Sequence, residues 1–370
     1  MNNVMGVINV NSNNDLLETL TEQRCIASVP FGGKYRLIDF ILSSMANSGL
    51  QNVAVFTREK YRALMDHLGS GKDWDLNRKK DGLIILPPHF CDGRSFIEGD
   101  LNNFYAHRDF FDRSRQEIVI LASGNIICNV NFENAVRFHY DKKADVTVFY
   151  AVSEVEKGGR SRRCLELAAD GRVKGFTEEG EKCAGGKVLL NIFILSKSLL
   201  IIMGQEAETA GRNELMVDRV VADLEYLKVY AYPLSGYFAV IDDIGLYYRH
   251  SMELLRHQTW ETLFFQPGLI HTKVKDEPPT RYLEGSRVNN SLIANGCTVE
   301  GTVENSILFR GVQVLPGSKI KDSIIMQKGV IGERASLERV ILDKDVRVNE
   351  GRKVRGGRGA PLVVPKRNNY

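Results

Sequence analysis

Up to about residue 250, short apolar runs alternate with amphipathic stretches. VMGVINV (Val4–Val10), NVAVFT (Asn52–Thr57), EIVILAS (Glu117–Ser123) and DVTVFYAV (Asp145–Val152) are brief and rich in β-branched residues, the pattern of buried strands. Between and beyond them, DFILSSMANSG, EKYRALMDHL, FENAVRFHYDKK, SLLIIMGQEAET and ELMVDRVVADLEYL place apolar residues three and four positions apart, as a helix with one buried face requires. Strands alternating with helices predict an α/β domain with a mostly parallel sheet over residues 1–250. VYAYPLSGYFAVID closes it, and the helix-like LYYRHSMELLRHQTW leads the chain out through a polar connection at residues 251–285.

The pattern then changes. Segments beginning at Ser291, Ser306 and Ser323 each start with Ser and an aliphatic pair, then space apolar residues through glycine-containing turns. A repeat of this kind reads as successive coils of a parallel β-helix over residues 286–370. A β-sandwich, the ordinary alternative, gives no reason for a recurring Ser–Ile/Leu start.

Composition narrows the function. The chain has 370 residues, 43% of them hydrophobic, enough for two domains. Its 49 Lys and Arg stand against 46 Asp and Glu, a net charge of +3, which argues against a dedicated nucleic-acid binder. The six cysteines, Cys25, Cys91, Cys128, Cys164, Cys183 and Cys297, show no paired spacing. They predict neither a zinc site nor a disulfide framework, and fit a reducing cytoplasm. No apolar run approaches the roughly 18 residues of a membrane span.

The stretch PFGGKYRLIDF (Pro30–Phe40), followed by ILSSMANSGL, resembles the segment after the nucleotide loop in bacterial glucose-1-phosphate adenylyltransferases, which make ADP-glucose for glycogen synthesis. The resemblance covers nearly the whole chain. It implies a Rossmann-like nucleotidyltransferase domain followed by a left-handed parallel β-helix.

The family's catalysts need a glycine-rich loop that brings backbone N–H groups to a triphosphate, two aspartates that hold Mg²⁺, and a lysine for the sugar phosphate. Counting from retained neighbours, each is altered here. The loop falls on Asn11, Ser12, Asn13, Asn14, Asp15, Leu16 and Leu17, with Leu16 at the position of the family's arginine. The metal aspartates fall on Asn125, within SGNIICNV, and on Val240. The lysine becomes Glu179, the GTADA segment becomes Gly99–Asn103, and the adenine loop gives His89 and Phe90. Asp242 or Asp243 could replace the lost aspartate only through a shift in register.

Other charges are kept. Arg24, Lys34 and Arg36 fall in the segment where the family binds anionic effectors. The tail from Arg347 to Tyr370 carries Arg352, Lys353, Arg355 and Arg358 with only Glu350 against them. These seven basic residues are the candidate effector site, for a phosphorylated metabolite or phosphate; a solvated basic tail is the bland alternative for the last four. The resemblance thus implies a regulatory, catalytically deficient subunit. It would bind neither cofactor nor metal itself, and would associate, as a heterotetramer, with a catalytic subunit that holds the Mg²⁺. An active nucleotidyltransferase with a displaced metal site and a stand-alone sugar-phosphate sensor are the alternatives.

Overall fold

The computed structural model describes residues 1–10, 15–88, 99–152, 163–178, 186–212, 215–357 and 360–370. The chain forms two compact units, each assembled from several stretches. The first comprises Met1–Asn13, Ile38–Val240 and Leu263–His271; the second comprises Asn14–Leu37, Ile241–Thr262 and Thr272–Tyr370. Linear boundaries at 250 and 285 therefore give way to interleaving: the segment containing PFGGKYR joins the C-terminal repeats.

Strand β1 (Val4–Asn9) is followed by the hairpin β2 (Pro30–Phe31) and β3 (Tyr35–Arg36), then by β4 (Asn52–Phe56), β5 (Gly82–Leu86), β6 (Ile118–Ser123), β7 (Ile126–Cys128) and β8 (Val146–Val152). Next come β9 (Arg163–Leu167), β10 (Val173–Glu178), β11 (Lys187–Ser196), β12 (Val229–Pro233) and β13 (Phe238–Val240).

The main sheet of the first unit runs β10-β9-β11-β6-β1-β4-β5, with β8 joined to β11 and β12 to β8. Strands β5, β4, β1 and β6 are mutually parallel, while β11 runs antiparallel to β6 and β8. All of β1 is buried, which explains its unbroken apolar run: a parallel strand covered on both faces has no solvent side to make polar. Gly6 is required by packing, since a Cβ there would lie 2.6 Å from the Met45 sulfur. The scattered cysteines hide one departure from expectation. Cys25, Cys128 and Cys297 are free, but Cys164 on β9 is disulfide-bonded.

In the second unit, three parallel sheets of five short strands each wind into a left-handed β-helix. One face stacks Leu292, Ile307, Ile324 and Ile341 in register, and its interior is filled by Val299, Val303, Leu308, Val314, Ile320, Ile325 and Leu337. The repeated serine has a physical cause. Ser291 Oγ accepts from Ser306 N at 3.1 Å, Ser306 Oγ from Ser323 N at 3.1 Å, and Ser323 Oγ from Val340 N at 3.2 Å. This ladder satisfies backbone donors at a corner where the sheet hydrogen bonds lapse.

The hairpin β2–β3 is built onto these coils. Gly33 at its tip has φ of 82°, and a Cβ there would touch Ala294 and the Leu308 carbonyl. Buried Tyr247 donates its hydroxyl to Pro30 O at 2.7 Å and packs edge-on against Phe31. The Arg24 guanidinium and the Asp343 carboxylate form a buried ion pair.

Candidate functional site

Two regions hold the residues singled out from the sequence. The first lies at the ends of β1 and β6, where Asn9 is opposite Ser123. Asn125 follows, 4% exposed, its Oδ1 accepting the Ser123 hydroxyl at 2.6 Å. Strand β7 begins at the next residue and pairs antiparallel with β13, placing Val240 opposite Ile126. Position 240 thus lies opposite the residue that follows Asn125. Behind them, Asp100 opens the helix Asp100–Ala106. Burial raises its carboxyl above the ordinary range, against the opposing pull of a hydrogen bond from Asn9, the Met216 backbone and Arg58. Asn102 Oδ1 and Asn103 Nδ2 on the same helix are buried with no hydrogen-bond partner.

The other altered positions do not add to this region. Asn11, Ser12, Asn13, Asn14, His89, Phe90 and Glu179 lie outside the described residues. Leu16 falls in the short 3-10 helix Asp15–Thr21. Asp243 serves as a helix cap, its Oδ1 accepting from Leu246 N at 2.7 Å at the start of the helix Ile244–Glu253.

The second region belongs to the β-helix unit. Lys344 is pushed down to about 7 by burial first, then by Arg36 and Arg24, with Asp343 opposing and Lys275 adding to the shift. Lys275 is lowered by burial, then by Arg310, Arg36 and Lys273, with Glu277 opposing. Lys34 is lowered by burial and then by Arg310. These mutual effects gather Arg24, Lys34 and Arg36 from the hairpin segment with Lys275, Arg310 and Lys344, three residues that the sequence motifs do not mark. Nothing in the motif points to them, because they come from the connection before the coils and from turns of two different coils.

The tail residues have other partners. The Arg352 guanidinium lies 5.0 Å from the centre of the Tyr370 ring. Arg355, on the strand Lys353–Arg355, places Nε 2.9 Å from Glu338 Oε2. Arg358 lies outside the described residues.

Residues 16–237 match the family described as nucleotidyl transferase, and residues 278–357 match the GlmU-like C-terminal hexapeptide family. The chain is 40% identical over 369 residues to the glycogen biosynthesis protein GlgD of Bacillus subtilis, covering 99% of this chain and 96% of that protein. It is 42% identical over 344 residues to the GlgD of Geobacillus stearothermophilus, covering 86% and 83% of the two chains. A glucose-1-phosphate adenylyltransferase of Clostridium botulinum is 35% identical over 326 residues, covering 87% and 84%. The chain belongs to the glucose-1-phosphate adenylyltransferase family.

Nucleotidyl transfer in this family implies Mg²⁺, and the residues at its two positions do not fit that ion. Mg²⁺ is a hard cation that takes oxygen ligands, carboxylates above all. Valine offers no donor, and the Asn125 amide oxygen is neutral and already engaged by Ser123. Among the described residues, no cluster of three or more His, Cys, Asp or Glu side chains is placed to hold a metal. No described helix is long and apolar enough to cross a membrane.

Proposed function

We propose that this chain is the regulatory, catalytically deficient subunit of a glucose-1-phosphate adenylyltransferase, acting in ADP-glucose synthesis for glycogen in the cytoplasm. It associates with a catalytic homologue and modulates it, and the homologue supplies the Mg²⁺ chemistry. The observation that carries the reading is the loss of both carboxylates at one strand end, where Asn125 immediately precedes β7 and Val240 on β13 pairs with the next residue, Ile126: transfer chemistry needs charge there to screen phosphates. The six basic groups of the cluster, Lys344 among them, support the regulatory half: guanidinium and ammonium groups crowded into one partly buried place suit a phosphorylated effector or phosphate.

The test compares ADP-glucose synthesis by this chain alone, by a catalytic relative alone, and by the two mixed, with size measurements on the mixture. The expected result is no significant turnover by this chain, a hetero-oligomer in the mixture, and a raised rate or shifted substrate response of the relative. Turnover by this chain within tenfold of the active relative overturns the reading in favour of an active transferase. Separate peaks with unchanged kinetics overturn it in favour of a stand-alone sensor.

A further inference from the structure

Helix Ile244–Glu253 presents Tyr247 to the hairpin, but its neighbour Tyr248 serves a different surface. The Tyr248 hydroxyl donates to the Asp322 carbonyl at 2.7 Å. Together with Arg249, Met252 and Arg256 it lines one wall of a cavity of about 480 Å³, whose other wall carries Arg339 and Pro361. That volume is in the range that encloses a small-molecule ligand.

Three observations bear on what it holds. The first is charge. Arg249, Arg256 and Arg339 line the cavity, whereas the acid on its wall, Glu253, has its Oε2 3.0 Å from His250 Nδ1. Glu338 beside it is divided between two guanidiniums, 2.9 Å from Arg339 Nη1 and 2.9 Å from Arg355 Nε. Positive charge is in excess. The second is an orphan donor: Arg339 Nε is buried and has no hydrogen-bond partner, a situation that costs free energy unless something accepts from it.

The third is the backbone. At the equivalent corner of successive coils stand Asn290, Asn305, Asp322 and then Arg339, with φ of 41°, 45°, 47° and 53°. Asn and Asp tolerate this left-handed conformation, and a long side chain such as Arg tolerates it less well. This corner therefore carries, in place of the Asn or Asp of the earlier coils, a guanidinium that lines the cavity.

We infer that this cavity is an anion site separate from the cluster around Lys344, and that it takes a small phosphorylated metabolite. The guanidiniums of Arg256 and Arg339 engage the phosphate oxygens, Arg339 Nε included. Tyr248, Met252 and Pro361 supply the less polar surface for the rest of the ligand. Arg355, which the sequence groups with Arg24 and Arg36, sides with this cavity through Glu338.

Calorimetric titration of the full chain with inorganic pyrophosphate tests the assignment without any catalytic partner, so its outcome is independent of the regulatory reading. The expected result is two binding events. Arg36→Ala removes one, Arg256→Glu the other, and the combination both. Arg339→Asn restores the corner residue used by the earlier coils, so it is expected to keep or raise the melting temperature while weakening the cavity event at least tenfold. If the Arg256→Glu and Arg339→Asn variants bind pyrophosphate as the wild type does, or if Arg36→Ala alone abolishes all binding, the cavity is not an anion site.

Discussion

The strand ends at β7–β13 and the basic cluster around Lys344 treat charge in opposite ways. At the first, an amide stands just before β7 and a valine stands on β13 opposite the following residue, and the fold loses nothing by it: an uncharged strand end needs no desolvation to be offset. At the second, Arg24, Lys34, Arg36, Lys275, Arg310 and Lys344 crowd together, and burial and mutual repulsion push all three lysines toward neutrality. Keeping like charges close opposes folding, and Asp343 offsets only part of it. Discarding charge leaves a fold unharmed and retaining charges that repel one another destabilises it, so the retained cluster is the better guide to what this chain does.

The sharpest way to break that contrast is to put the charge back. Asn125→Asp with Val240→Asp returns one carboxylate to the residue before β7 and one to the end of β13, and divalent-metal binding is expected to appear in a calorimetric titration. Turnover with ATP and glucose 1-phosphate is expected to stay three or more decades below that of an active relative, ~4 kcal/mol or more of missing transition-state stabilisation. Catalytic parts act as a unit, and Leu16 and Glu179 are unrepaired. Near-normal turnover by the double variant would show that the strand ends alone had decided the loss of activity.

How much of this was legible in the residues differs by region. The parallel strands could be read because β1, β4 and β6 are covered on both faces and so spell continuous apolar runs. The β-helix could be read because its serine ladder needs the same hydroxyl in each coil. The interleaving of the two units was hidden. It depends on Gly33 meeting Ala294 and Leu308 and on Arg24 meeting Asp343, 319 residues away, and no local pattern encodes a contact so distant. For the same reason only half of the basic cluster was visible. Arg24, Lys34 and Arg36 lie in one motif, whereas Lys275, Arg310 and Lys344 are brought to it by the winding of the coils. In the tail, Arg352 and Arg355 are close in sequence but have separate partners, the Tyr370 ring and Glu338.

A smaller effect sharpens the cluster's side of the contrast. Asp343 is 1% exposed, pairs with Arg24 and opposes the effect of Arg36 and Arg24 on Lys344. Asp343→Ala leaves those cations buried together without their acid, and is expected to cost about 3 kcal/mol in urea unfolding. Arg24→Ala is expected to cost less, because the Asp343 carboxylate still faces Lys344. Equal losses for the two variants would mean that the cluster is not held against its own repulsion.

The smallest effect is a pH dependence with two opposite signs. Lys344 titrates near 7 in the folded chain and at 10.5 in the unfolded one. Between those values the unfolded chain holds a proton that the folded chain has released, so unliganded stability rises with pH across this window from its Lys344 contribution. An anion in the cluster favours the charged lysine and takes the proton back up. Its affinity is therefore full below about 7 and falls as pH rises above it, by up to about tenfold per unit until the liganded pKa is reached. Sulfate is the suitable probe, because its own charge is constant through the neutral and alkaline range. Titrations at several pH values should show affinity falling while the melting temperature of the free chain rises, and Lys344→Met should flatten the affinity profile. A sulfate affinity that is level across the window in the wild type would place the bound anion away from Lys344.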